Sequence, residues 1–194
     1  MTDSALPSGI EPRELHSTQL QLLILGLAVL LAASLVVWLL VRSDGRTAPA
    51  HVAGGSPTLV SRGQLQRFAE SVGRPVYWAG PRDGFSYELT TTSDGRIFVR
   101  YLPKGVAAGD PRPSFLAVGT YTRAGSFADL KRAARRKGSV WLKLPNDGLM
   151  VFASKRPQSV YLGYAGANYQ VEVFAPAAET ARGLVLKGTI VPIP

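Results

Sequence analysis

Residues 22–41 read LLILGLAVLLAASLVVWLLV, twenty positions without a charge and with Ser34 as the one clearly polar side chain. No charged residue occurs between Ser17 and Val41. At about 1.5 Å of rise per residue such a helix covers the roughly 30 Å hydrocarbon layer of a bilayer. A helix buried in a soluble core would be shorter and would show a polar face. Trp38 near one end and Arg42 just beyond it suit an interfacial anchor. A cleaved signal peptide is the rival reading, since Ala48-Pro49-Ala50 has the small-x-small form of a cleavage site. The apolar stretch exceeds the usual signal length, however, and the residues before it lack net positive charge. The chain therefore divides into a polar tail (1–19), a transmembrane helix (20–41), a Gly-, Pro- and Ser-rich linker (42–60) and one globular domain (61–194).

Charge separates these parts. Residues 1–19 carry Arg13 against Asp3, Glu11 and Glu14, whereas the chain after the hydrophobic stretch holds 21 basic and 10 acidic side chains. A basic domain attracts polyanions such as lipid headgroups, wall polymers or nucleic acid. The positive-inside count is close to a tie, with Arg13 and the amino terminus against Arg42 and Arg46. A short tail, an anchor and a folded domain match the plan of exported, tethered domains, so the domain is expected outside the membrane. Arginine outnumbers lysine 16 to 6, a composition of high-GC bacterial genomes. Cysteine is absent, which excludes disulfides, thiolate metal sites and a cysteine nucleophile.

Periodicity predicts an α+β domain that is mostly antiparallel. Ser61 caps a helix whose apolar positions are Leu65, Phe68, Ala69 and Val72, with Gly73 as its stop. A strand at 75–78 precedes a hairpin, 85–92 against 96–102. A three-residue loop there sets Leu89 opposite Val99, Tyr87 opposite Tyr101 and Glu88 opposite Arg100, whereas a two-residue turn would set Leu89 against Arg100. The first register predicts Gly95 at positive φ. A Pro- and Gly-rich loop, 103–113, leads to a strand at 115–121. Ser126 is expected to cap a second helix running to about Arg136, with Phe127, Leu130, Ala133 and Ala134 buried and Gly138 as its stop. A second hairpin, 140–144 and 149–153, turns through 145–148. Strands at 159–163 and 169–174, a short helix from Pro176 to about Leu186 and a strand at 189–193 complete the domain. Val76-Tyr77 before Tyr87-Glu88-Leu89 is echoed by Val160-Tyr161 before Tyr169-Gln170-Val171; two related halves would explain the likeness, and chance similarity between aromatic strands is the plainer reading.

Catalytic chemistry has few candidates. Both histidines, His16 and His51, lie outside the domain, so no histidine triad or histidine metal site can form in it. Gly54-Gly55 lacks the context of a phosphate loop. No cofactor, metal or catalytic residue is assigned. Glu88 and Glu172, both on strands, form the one conceivable carboxylate pair of glycosidase type; the plainer reading is an ion pair of Glu88 with Arg100. Lys131, Arg132, Arg135, Arg136 and Lys137 form a possible anion-binding cluster facing away from the apolar stripe of their helix. The plainer reading of that cluster is a solvated face favoured by the helix dipole. Most strand aromatics are expected in the core, with Tyr164 the one whose loop setting favours exposure.

The stretches PVYWAGPRDGFSYELTTTSDGRIFVRYLP, FLAVGTYTR and SVYLGYAGANYQVEVF resemble segments of uncharacterised single-span, membrane-anchored proteins of high-GC Gram-positive bacteria. The resemblance covers about residues 75–175 and implies the tethered-domain plan without implying site residues. The expectation is a single-pass membrane protein, not an enzyme, whose basic extracytoplasmic domain binds a protein or an anionic envelope component, lipid or wall polymer. The alternatives are an envelope enzyme using carboxylates and a cytoplasm-facing domain that binds anionic lipid or nucleic acid.

Overall fold

The strand pattern becomes one continuous antiparallel sheet in the structure, a computed structural model that describes residues 55–194. The elements in chain order are β1 (Thr58–Val60), α1 (Arg62–Val72), β2 (Tyr77–Trp78), β3 (Phe85–Thr91), β4 (Ile97–Pro103) and β5 (Ala117–Thr122). They continue with α2 (Ser126–Ala134), β6 (Ser139–Leu144), β7 (Gly148–Ala153), β8 (Arg156–Tyr164), β9 (Tyr169–Phe174), α3 (Ala178–Leu186) and β10 (Val191–Pro192). Eight strands lie in the order β1-β3-β4-β5-β9-β8-β7-β6, and β10 with β2 makes a separate ribbon.

This corrects the α+β expectation. The domain is a mostly antiparallel β-sheet domain with three small helices of 11, 9 and 9 residues. Local pattern shows the strands, but β5 pairs with β9 across a long sequence separation, with Val118 opposite Val173. That seam fuses the meanders β3-β4-β5 and β7-β8-β9 into one sheet, so the helices serve as covers rather than as a layer of equal weight. The two halves of the sequence echo are arranged differently, since β2 and β3 lie in separate sheets whereas β8 and β9 are hydrogen-bonded neighbours. The expected transmembrane helix at 20–41 lies outside the described residues, as do the tail and residues 42–54. Among the described residues no helix is long and apolar enough to cross a membrane. The described domain starts inside the stretch read as linker, since Thr58, Leu59 and Val60 pair with Leu89, Glu88 and Tyr87.

Several local expectations hold in detail. Ser61 accepts a bond from the Gln64 N–H while its own N–H donates to the Gln64 side chain, a complete capping box, and Gly73 ends α1 at φ 65°. The β3–β4 register places Leu89 opposite Val99, Glu88 opposite Arg100 and Tyr87 opposite Tyr101, with Gly95 at φ 79°. Others differ. Gly125, at φ 74°, occupies the N-cap of α2. The Ser126 hydroxyl is buried and donates to the Tyr169 carbonyl at 2.9 Å, so it ties α2 to β9 instead of capping. Helix α2 ends at Ala134, leaving Arg135, Arg136 and Lys137 in the turn before β6.

The two faces of the sheet have different characters. On one, Leu89, Val99, Val118, Val173 and Val160 align across five strands. This row joins Leu65 and Ala69 of α1, the β2–β10 ribbon and Ala181 and Val185 of α3 in the main core. On the other, α2 contributes Leu130 and Ala133 to a smaller cluster with Leu149, Val151 and Tyr161. The rest of that second face carries the two buried carboxylates, Glu88 and Glu172.

Candidate functional site

Glu88 is 1% exposed, and both of its oxygens are engaged. Arg100 Nη1 donates to one at 2.7 Å and the Gly109 N–H donates to the other at 2.6 Å. The same guanidinium donates to the Asp110 carbonyl at 2.8 Å and stacks over the Phe115 ring, 5.2 Å from its centroid. The pair is therefore a clasp that folds the 103–113 loop onto the sheet.

Glu172 sits farther along the same face, bonded by the hydroxyls of Tyr121 and Tyr161, the latter at 3.0 Å. Burial pushes its carboxyl above the ordinary value, against the opposing pull of the hydrogen bonds from Tyr121, Ser159 and Tyr161. Burial, then the neighbouring Glu172 charge, pushes both phenols up as well. Three strand spacings, about 14 Å, separate the strands of Glu88 and Glu172, beyond the roughly 5 to 9.5 Å between the carboxyl groups of a glycosidase pair. With their oxygens occupied by protein donors, the two carboxylates are structural in this arrangement. A hollow of about 30 Å³ between Phe68, Val72, Arg74 and Ile97 has room for a water or two. Among the described residues no group of three acidic, histidine or cysteine side chains converges to hold a metal.

The basic cluster is exposed throughout. Lys131 and Arg132 project from α2, with Lys131 Nζ 5.6 Å from the Phe127 ring centroid and Arg132 paired with Asp129. Asp129 also pairs with Arg123 at 2.9 Å, so one carboxylate is shared by two guanidinium groups. Arg135, Arg136 and Lys137 follow in the turn to β6. There the Ser154 N–H donates to the Gly138 carbonyl at 2.8 Å, which brings the β7–β8 turn alongside. Lys155, exposed in that turn, and Arg156, exposed at the start of β8, thus join the cluster. Sequence reading missed these two because they lie about twenty positions from Lys137; the signal available was the adjacency of the hairpin ends. No acidic residue occurs between Leu130 and Pro145 or between Gly148 and Val171, so Asp129 is the local counter-charge.

The aromatics divide as expected, with one exchange. Tyr77, Trp78, Tyr87, Tyr101, Tyr121 and Tyr161 are buried. Tyr164 is half-buried against Gly148, where any Cβ would lie 2.8 Å from its ring. Trp141 on β6, at 52%, is the most exposed aromatic among the described residues, followed by Phe85 on β3.

No family model, curated protein or solved structure matches this chain. The functional reading accordingly rests on the geometry of the basic surface.

Proposed function

We propose that this chain is a membrane-anchored binding protein whose basic domain engages an anionic component of the cell envelope. The observation that carries the reading is the convergence of Lys131, Arg135, Lys137, Lys155 and Arg156 on one exposed end of the sheet, with Asp129 as the local carboxylate. A polyanion lying along this surface meets charges from two separate turns and a helix. Each basic residue near an anionic surface contributes about 1 kcal/mol at moderate ionic strength. The uncharged stretch 20–41 supplies the anchor in this reading, and the tail-anchor-domain order puts the binding surface outside. The clasped state of Glu88 and the hydrogen-bonded state of Glu172 favour binding over carboxylate catalysis.

Long-chain polyphosphate immobilised on beads is a suitable probe for the full-length chain in mild detergent. Retention is expected to fall steeply with added salt. Reversing Lys131, Arg135, Lys137 and Lys155 to glutamate is expected to weaken retention at least tenfold, while the same four-residue change at Arg62, Arg67, Lys104 and Lys187, exposed outside the cluster, leaves most of it. Equal losses from both sets would mean that net charge, not this surface, does the binding. Protease added to intact spheroplasts carrying a C-terminal tag tests the location: cleavage is expected, and protection would place the surface at the inner leaflet.

A further inference from the structure

The two ends of the sheet are built differently. β1 has three residues and follows Pro57, both of which blunt a sheet edge. β6 has six residues, SVWLKL, contains no proline and carries one charge, Lys143. Its side chains Val140, Trp141 and Leu142 are 39%, 52% and 39% exposed, a run of three large apolar residues on an edge. Among the described residues no strand pairs with its outer side.

Which backbone groups that edge offers follows from the β6–β7 ladder. The Ser154 N–H donates to the Gly138 carbonyl, and the register runs unbroken from Ser139 opposite Ala153 to Leu144 opposite Gly148. Antiparallel hydrogen-bonded pairs alternate, so Val140, Leu142 and Leu144 turn their N–H and C=O groups toward β7. Ser139, Trp141 and Lys143 turn theirs outward. The Ser139 N–H is already used, donating to the Arg136 carbonyl at 3.0 Å. Trp141 and Lys143 therefore hold the complete donor-acceptor sets of the open edge.

We infer that this edge pairs with the same edge of a second copy of the chain, antiparallel, about a two-fold axis at Leu142. In that register Trp141 of each copy faces Lys143 of the other, so two complete hydrogen-bonded pairs close four backbone bonds. Leu142 faces itself at the close, non-hydrogen-bonded position, and Val140 faces Leu144. Each Lys143 lies beside a Trp141 ring rather than beside another lysine. Moving the axis two residues to Val140, a four-residue slip of one strand past the other, would set Lys143 against Lys137 and is opposed by their charges. The antiparallel arrangement also brings the Asp147 turn, the one acidic point of the hairpin, beside the Lys137 end of the partner strand. Helix α2 packs on Leu149, Val151 and Tyr161, about two strand spacings from the axis, so the two copies of α2 stand about 20 Å apart and do not collide. Both basic surfaces then lie on the same face of a joined sheet. The inference stands apart from the polyanion reading, because it uses the backbone edge and apolar side chains of β6.

The test uses the absence of native cysteine. Purified full-length chain carrying Leu142→Cys is oxidised with copper phenanthroline in mild detergent. Cα atoms of a non-hydrogen-bonded pair stand about 4.5 Å apart, within disulfide reach. A disulfide-linked dimer is expected from Leu142→Cys, and at least fivefold less from Val140→Cys or from Leu59→Cys on β1. Failure of Leu142→Cys to cross-link, or equal cross-linking by either control, would overturn the inference. Occupation of the edge by residues 1–54 of the same chain would block the thiol and give that negative result. Leu142→Arg, which sets two like charges face to face at an exposed position, is expected to abolish association by sedimentation while residues 55–194 keep their protease resistance. Association unchanged in that variant would equally overturn it.

Discussion

At the scale of single residues, the two buried glutamates do opposite things to stability. Glu88 neutralises Arg100 and caps the Gly109 N–H, so Glu88→Ala leaves a guanidinium facing no charge. Removing one partner of a buried pair costs about 3 to 5 kcal/mol. The lower end is expected here, because Arg100 keeps 21% of its side-chain surface. Urea midpoints measure it, and a change below about 1 kcal/mol would show the clasp to be an ordinary surface pair. Glu172 is held against the desolvation that raises its pKa above 4.5. A raised carboxyl contributes stability that is fully present below the unfolded value and is lost as pH rises through the folded one. Glu172→Gln, which cannot ionise, is therefore expected to gain on the native chain over the interval in which pH rises above the ordinary carboxyl value of 4.5. Midpoints of the two proteins that keep a constant separation across that interval would show that the Tyr121 and Tyr161 bonds fully compensate burial.

At the scale of elements, turn chemistry was the most legible part of the chain. The β3–β4 register followed from matching Leu89 to Val99 and Glu88 to Arg100, and it required Gly95 to be left-handed. An added Cβ there meets the Arg74 side chain at 3.6 Å, an ordinary contact, so Gly95→Ala isolates the backbone cost. That cost is expected to be about 1 to 2 kcal/mol, read from thermal midpoints; a neutral result would mean that the turn adopts another form. Helix α2 shows where element reading fails. Ser126 has the right type and place for a cap, yet its hydroxyl is taken by the Tyr169 carbonyl across the fold. A local rule is overridden whenever a buried acceptor needs that donor more. The candidate cluster at the end of α2 and in the turn after it was legible because five basic residues fall within seven positions. Lys155 and Arg156 were not, because strand pairing alone brings them there.

For the whole molecule, the β5–β9 seam decides cooperativity. Trp78 lies in the first half and Trp141 in the second, joined by the Val118–Val173 and Thr120–Val171 pairs. One sheet and one main core predict a single transition, with fluorescence and far-ultraviolet circular dichroism coinciding. Val118→Ala, at a fully buried seam position, is expected to lower the midpoint of both probes together by about 1 to 3 kcal/mol. Separation of the two curves would show that the meanders unfold independently.

Sequence alone determined what depends on near neighbours: the strand and helix periods, the caps of α1, the three-residue turn at Gly95, the basic run from Lys131 to Lys137 and the uncharged stretch at 20–41. Those follow from backbone sterics, side-chain alternation and charge, which act over a few residues. Tertiary structure decided what depends on contacts between distant segments. It joined two meanders into one sheet and so made the domain β-dominated. It clasped Glu88 and buried Glu172, brought the β7–β8 turn to α2, and left β6 as the long apolar edge. Each of those outcomes depends on which strands meet, and pairing free energy is spread over side chains that no local pattern relates.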